Sequence, residues 1–271
     1  MKYNKIPIII LFVAMVSLAS CEEVIQLNLK NTAPVTVIDA TINATSGKCV
    51  VQATLSAGFY DNNNLTRIQG AQVELIDGSG NVNLLNEDSA GAYSVSQLKV
   101  REGEILQLRL TAADGEVFVA TTRAPGVVPL DSLKFVRGFG DPRPTSAPIY
   151  LINPKWQDPT GIANYYRFKV TKNGKSGQGS FNITSDEPFD GTEVDMPLYR
   201  YGFEIGDTVR FEFQCIDSVS HSYFSQVNDM SRPSFVSATP YNPVGNFDNG
   251  ALGYFGIYFS EIRDTIVSVR K

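Results

Sequence analysis

The order of apolar and polar positions divides the chain into distinct stretches. Ile8 to Val16 is an unbroken apolar run behind the basic start Met1-Lys2-Tyr3-Asn4-Lys5. From Val24 to Thr122 the alternation has a period of two, interrupted by turn residues at short intervals. Val35–Ile42, Cys49–Leu55, Gln72–Ile76, Ile105–Leu110 and Val117–Thr121 each place apolar side chains on one face, the pattern of half-buried strands. Asp114-Gly115 predicts a type I′ hairpin turn, because these residues accept positive φ. Strands at this spacing, with no helical periodicity between them, predict an antiparallel sandwich over residues 21–124. Its expected character is immunoglobulin-like or transthyretin-like.

Pro125-Gly126-Val127-Val128-Pro129 breaks the ladder, so residues 125–130 read as a linker. Strand patterns return over residues 131–271. They include Leu133–Val136, Ile149–Ile152, Asn164–Val170 and Thr208–Ile216. Asn173-Gly174 predicts a second tight turn. After Ile216 the period changes. Val219, Tyr223, Phe224, Val227 and Met230 recur at three- and four-residue steps, which predicts an amphipathic helix near 217–230 with Asp217 or Ser218 as its N-cap. Ala251–Phe259 and Asp264–Val269 read as strands. The fold class is therefore mostly β: an N-terminal antiparallel sandwich plus a second antiparallel β domain carrying one amphipathic helix.

The first apolar run has nine residues and would rise about 14 Å as a helix, short of the ~20 residues that span a bilayer. Residues 1–20 thus read as a signal peptide. Leu18-Ala19-Ser20-Cys21 follows, and it resembles the bacterial lipobox. Its small residues fit a narrow peptidase cleft, and the Cys21 thiol is the expected lipid attachment site, carrying acyl chains such as palmitate. The mature chain is then held on a membrane without spanning it. Removing Lys2 and Lys5 takes the net charge from −5 to −7. Glu22-Glu23 resembles a surface-export signal, which favours the cell surface over the periplasmic face of an outer membrane.

Composition restricts the chemistry. With a single His, no multi-His metal centre is available. The acidic balance argues against nucleic acid as a partner. Cys49 and Cys215 sit in strand-like runs on opposite halves, which favours two buried thiols over a disulfide. His221 has Asp217 one turn earlier, a spacing that could polarise a base, but no Gly-x-Ser-x-Gly elbow accompanies it. Asp61-Asn62-Asn63-Asn64 and Asp248-Asn249-Gly250 offer oxygen ligands, although Asp and Asn also favour loops for local hydrogen-bonding reasons. Asp186, Glu187, Asp190, Glu193 and Asp195 surround Pro188 and Gly191, the composition of an exposed acidic loop. Phe189, Tyr199, Tyr201 and Phe203 could stack on a sugar or a partner protein, with burial in the second sheet the favoured expectation. No catalytic set, metal or cofactor is expected.

Several motifs coincide in order: the lipobox, Pro129-Leu130-Asp131-Ser132-Leu133, Asn164-Tyr165-Tyr166-Arg167-Phe168, Gly206-Asp207-Thr208-Val209, and Asn242-Pro243 followed by Gly250-Ala251-Leu252-Gly253-Tyr254-Phe255-Gly256. Together they resemble the family known only as domain-of-unknown-function family 4249. The resemblance implies a Gram-negative outer-membrane lipoprotein, with a TonB-dependent receptor as a possible partner and no catalytic residue to carry over. It also implies glycines placed for tight backbone and aromatics placed for packing. The expectation is a non-catalytic binding or accessory component in nutrient uptake, with ligand unknown. The alternatives are a carboxylate-dependent hydrolase at the cell surface and a structural envelope protein.

Overall fold

The computed structural model describes residues 33–57, 65–138, 148–177, 181–231 and 241–268. Three sheets organise them. The first half opens with β1 (Thr36–Asn43) and β2 (Lys48–Leu55), then β3 (Gln72–Ile76), β4 (Val82–Leu84), β5 (Asn86–Ser89), β6 (Ala92–Val95), β7 (Ile105–Thr111) and β8 (Val117–Arg123). The second contributes β9 (Ser132–Arg137), β10 (Tyr150–Gln157), β11 (Tyr165–Lys172), β12 (Lys175–Ser176), β13 (Asn182–Ser185), β14 (Glu193–Asp195) and β15 (Thr208–Ile216). One helix, α1 (Ser218–Ser231), and the long β16 (Leu252–Ile266) complete it. The chain is mostly β, as the alternation predicts.

The alternation decides which face is buried. In β7, Leu106, Leu108 and Leu110 point inward while Gln107 and Arg109 point out. In β1, Ile38, Ala40 and Ile42 do the same. These faces meet Val73, Leu75, Phe118 and Ala120 in a first core between the large sheet and the sheet ordered β4-β3-β7-β8. A second core lies between the other end of the large sheet and the sheet β14-β10-β9. There Trp156 is fully buried, with ring centroids of Tyr166, Phe168 and Phe213 at 5.2, 5.7 and 5.3 Å.

Both cores share one sheet, ordered β12-β11-β15-β16-β1-β2-β6-β5, with β13 also on β11. Its middle strand, β16, pairs parallel to β1 through Leu252–Tyr258 and antiparallel to β15 through Tyr258–Ile266. The expected division at 125–130 therefore does not separate the strands of the two halves, and Val128 and Leu130 are buried in the second core. The two strands expected over 251–259 and 264–269 form this single element, ending at Ile266.

Two turns show how φ selects hairpin geometry. Asn173 (φ 50°) and Gly174 (φ 75°) are both positive and join β11 to β12 in the two-residue loop expected of a type I′ turn. The Asp114-Gly115 hairpin joins β7 to β8, but only Gly115 has positive φ. A type I′ turn needs both, so this expectation is corrected. Gly115 N–H bonds Ala112 O, and Ala112 N–H bonds Glu116 O, giving a longer loop with glycine at the left-handed position.

Helix α1 packs on the opposite face of the large sheet, where Phe224 meets Ile216 and Tyr254. Its buried stripe is Ser220, Phe224 and Asn228, one turn apart, while Met230 is exposed. The stripe is more polar than the apolar spacing predicts, because Asn228 holds the backbone of Phe181: it accepts from Phe181 N–H at 2.6 Å and donates to Phe181 O at 2.8 Å. Asp217 is the N-cap, accepting from Ser220 N–H at 2.6 Å. Among the described residues no helix is long and apolar enough to cross a membrane.

Candidate functional site

Asp158 follows β10 directly and is buried. Its carboxylate accepts from the Tyr166 hydroxyl and, at 3.1 Å, from Gly191 N–H. Asp186, also buried, accepts from Asn164 N–H at 2.7 Å. Asp190 accepts from Gly161 N–H at 2.7 Å. Gly161 (φ 73°) and Gly191 (φ 71°) supply the left-handed backbone these turns require. At Gly191 a Cβ would lie 2.4 Å from Thr160 Oγ1, so the two loops touch there. The acidic loop of the sequence is thus stapled to the loop that precedes β11.

The three carboxylates bring ligand oxygens within 4.8 Å of one another. Oxygen donors so close suit a hard divalent cation, which takes six or more oxygen ligands. Each carboxylate already serves as an acceptor for loop backbone, and that duty accounts for its position. Glu193 and Asp195 do not join the cluster. They lie on β14, where Glu193 pairs with Lys155 at 2.8 Å and Asp195 accepts from Asn153 Nδ2 at 2.5 Å.

Beside the cluster opens a cleft of about 630 Å³, lined by Ile162, Tyr165, Asp186, Glu187, Asp190 and His221. The His221 ring stacks on Tyr165 with centroids 4.7 Å apart. Burial pulls its pKa below the ordinary value of 6.5. The His221–Asp217 pairing suggested by their spacing does not form. The Asp217 carboxylate turns inward, to Thr122 Oγ1 at 3.1 Å and to the N–H groups of Ser220 and Ile257. Burial raises its pKa against the pull of those donors.

Other candidates fall apart in space. Cys49 and Cys215 are free, buried thiols in different cores, each pushed up to about 12 by burial. Asp248-Asn249-Gly250 straps the outer edge of β8: Asp248 accepts from Val119 N–H at 2.7 Å, and its own N–H bonds Val119 O at 3.0 Å. Of the four aromatics, Phe203 is buried, Phe189 and Tyr201 are half-buried, and Tyr199 is 69% exposed. Cys21 and Asp61–Asn64 lie outside the described residues. Asp158 was not singled out by the sequence. Its one signal is its place between a strand ending in Trp156-Gln157 and the turn Pro159-Thr160-Gly161.

No curated protein matches the chain. Among solved structures, a segment of two fibronectin type III domains from chicken tenascin aligns with 86% of this chain and 99% of its own, at 12% identity and a TM-score of 0.24. Residues 22–261 match the model of the family described as "Domain of unknown function (DUF4249)".

Proposed function

We propose that the chain, which belongs to the DUF4249 family, is a lipid-anchored outer-membrane protein with a binding or accessory role, working with a TonB-dependent receptor in nutrient uptake. The observation that carries this reading is the lipobox Leu18-Ala19-Ser20-Cys21 behind its apolar run. A lipidated Cys21 tethers a rigid β scaffold to a membrane surface. The use made of the reactive side chains supports a non-catalytic role. His221 is spent on stacking, Asp217 on capping and on joining strands, and both thiols on core packing.

One observation favours the hydrolase alternative: the convergence of Asp158, Asp186 and Asp190 beside a cleft. Carboxylate pairs are the machinery of glycoside hydrolysis. Against it stands the engagement of each carboxylate by loop backbone.

Purification from native membranes tests the main reading. A barrel receptor recovered in stoichiometric amount is the expected result, and recovery of the lipoprotein alone overturns the accessory role. Labelled palmitate incorporation that persists in Cys21→Ser overturns the anchor. Turnover of a glycoside that is lost in Asp190→Asn would establish the alternative.

A further inference from the structure

We propose that the outer face of β11 and β15 carries a binding site for a small organic oxyanion, with Arg167 as its principal ligand. A cavity of about 310 Å³ lies on this face, and Arg167, Lys169, Arg210, Phe181 and Tyr201 are among its walls. Strand register brings the cations together. Lys169 is two residues along β11 from Arg167, and Arg210 of β15 faces Thr171, two residues further on. Glu212 lines the same cavity, so three cations there face one carboxylate, and in a chain of net charge −5 the excess positive charge attracts anions.

The three are not equally committed. Arg210 pairs with Asp264 at 3.1 Å. Lys169 reaches Glu212 only at 3.9 Å, and Glu212 also accepts from Gln214 Nε2 at 2.6 Å. Arg167 takes part in none of the ion pairs among the described residues. Its contacts are aromatic: Cζ lies 4.6 Å from the Phe181 ring centroid and 4.4 Å from that of Phe224. Those rings are themselves fixed, stacked 4.3 Å apart, with Phe181 clamped by Asn228 of α1.

A guanidinium carries five N–H donors, and removing it from water without acceptors costs free energy. Its aromatic neighbours replace part of that hydration through the ring quadrupole. Among the described residues no hydrogen-bond acceptor occupies the N–H fork, and the Glu212 carboxylate acts on the charge from a distance. Among the described residues Arg167 therefore stands ready-positioned and charged at the wall of a cavity, without a hydrogen bond or ion pair of its own. A carboxylate or phosphate fits the fork with two parallel charge-assisted bonds. The half-buried Tyr201 ring supplies a surface for the body of the ligand. The shared chemistry is the oxyanion. The cavity volume sets the size as that of a small molecule.

The test uses the purified full-length protein in detergent, titrated calorimetrically with benzoate, inorganic phosphate and the neutral isostere benzamide. Binding of benzoate or phosphate, weakening with added salt and absent for benzamide, is expected. The anion that binds tells a carboxylate site from a phosphate site, and binding of both identifies a general oxyanion site. Arg167→Gln is expected to weaken binding about tenfold or more, the loss of one charged hydrogen-bonded pair. Should that variant fail to fold, the double variant Lys169→Gln/Arg210→Gln serves, because its side chains are 46% and 55% exposed. It is expected to weaken binding about threefold through the lost field. No binding of either anion at tens of millimolar overturns the proposal. So does benzamide binding as well as benzoate, or an affinity that the foldable variant leaves unchanged.

Discussion

The Thr122 hydroxyl donates to the Asp217 carboxylate across 3.1 Å, joining β8 of the first half to the cap of α1 in the second. The same carboxylate accepts from Ser220 N–H and Ile257 N–H, so three buried donors converge on one side chain. Asp217→Ala leaves all three unsatisfied. Unfolding in denaturant should show a loss of about 3–5 kcal/mol, since each orphaned buried group costs about 1–3 kcal/mol. Asp217→Asn retains an acceptor and should lose less.

Asp217 also sets a pH dependence. Burial raises its folded pKa above 3.8, so between 3.8 and the folded value the native state holds more protons than the unfolded state. Its contribution to stability is fully present below 3.8 and is lost as pH rises through the folded pKa. The stability of the native protein minus that of Asp217→Asn should therefore fall across this window. A flat difference would refute the assignment.

His221 acts with the opposite slope. Its folded pKa lies below 6.5, so its contribution is present above 6.5 and is lost as pH falls through the folded value. Imidazole resonances followed by NMR should titrate below 6.5. His221→Phe should keep the stack on Tyr165 while flattening this part of the pH profile.

Gly253 sits in β16 with φ 95°, and a Cβ there would lie 2.1 Å from the Ile38 carbonyl oxygen. Gly253→Ala combines a strained backbone, worth about 1–3 kcal/mol, with a clash against a neighbouring strand. Thermal melts should show a marked drop, whereas Gly80→Ala is strained (φ 83°) yet meets open space and should lose less.

The two thiols should be silent in the native protein. Pushed up to about 12 and buried, they carry almost no thiolate at neutral pH. An aromatic disulfide reagent should react with Cys49 and Cys215 only after denaturant is added. Rapid native reaction at either would contradict their burial.

Period-two alternation revealed β1, β2, β3, β7, β8, β11 and β15, because burial of one face of a strand writes itself into the residues of that strand. The helix and its Asp217 cap were legible for the same local reason. Pairing was not. Nothing in Thr36–Asn43 announces Leu252–Tyr258 as its partner, because alternation encodes faces and leaves neighbours unspecified. The candidate cleft was half legible. Asp186, Glu187 and Asp190 stood out as an acidic run, but Asp158 and the stack of His221 on Tyr165 arise only when distant loops meet. Polar partners also defeated the apolar pattern in α1, where the Asn228 clamp on Phe181 turns a polar position inward.

The shared strand β16 also imposes an order in time. A chain emerging from its N-terminus can form the β1–β2 hairpin at once, yet the other edge of β1 stays open until Leu252–Tyr258 arrives. Through most of synthesis the first core is thus a half-finished sandwich with an unpaired edge, the kind of surface that recruits stray strands. Completing it depends on the most distant contact in the sheet, which slows folding. Completion of this fold is therefore an all-at-the-end event, and an escort that shields the β1 edge until then would act on the step most exposed to failure.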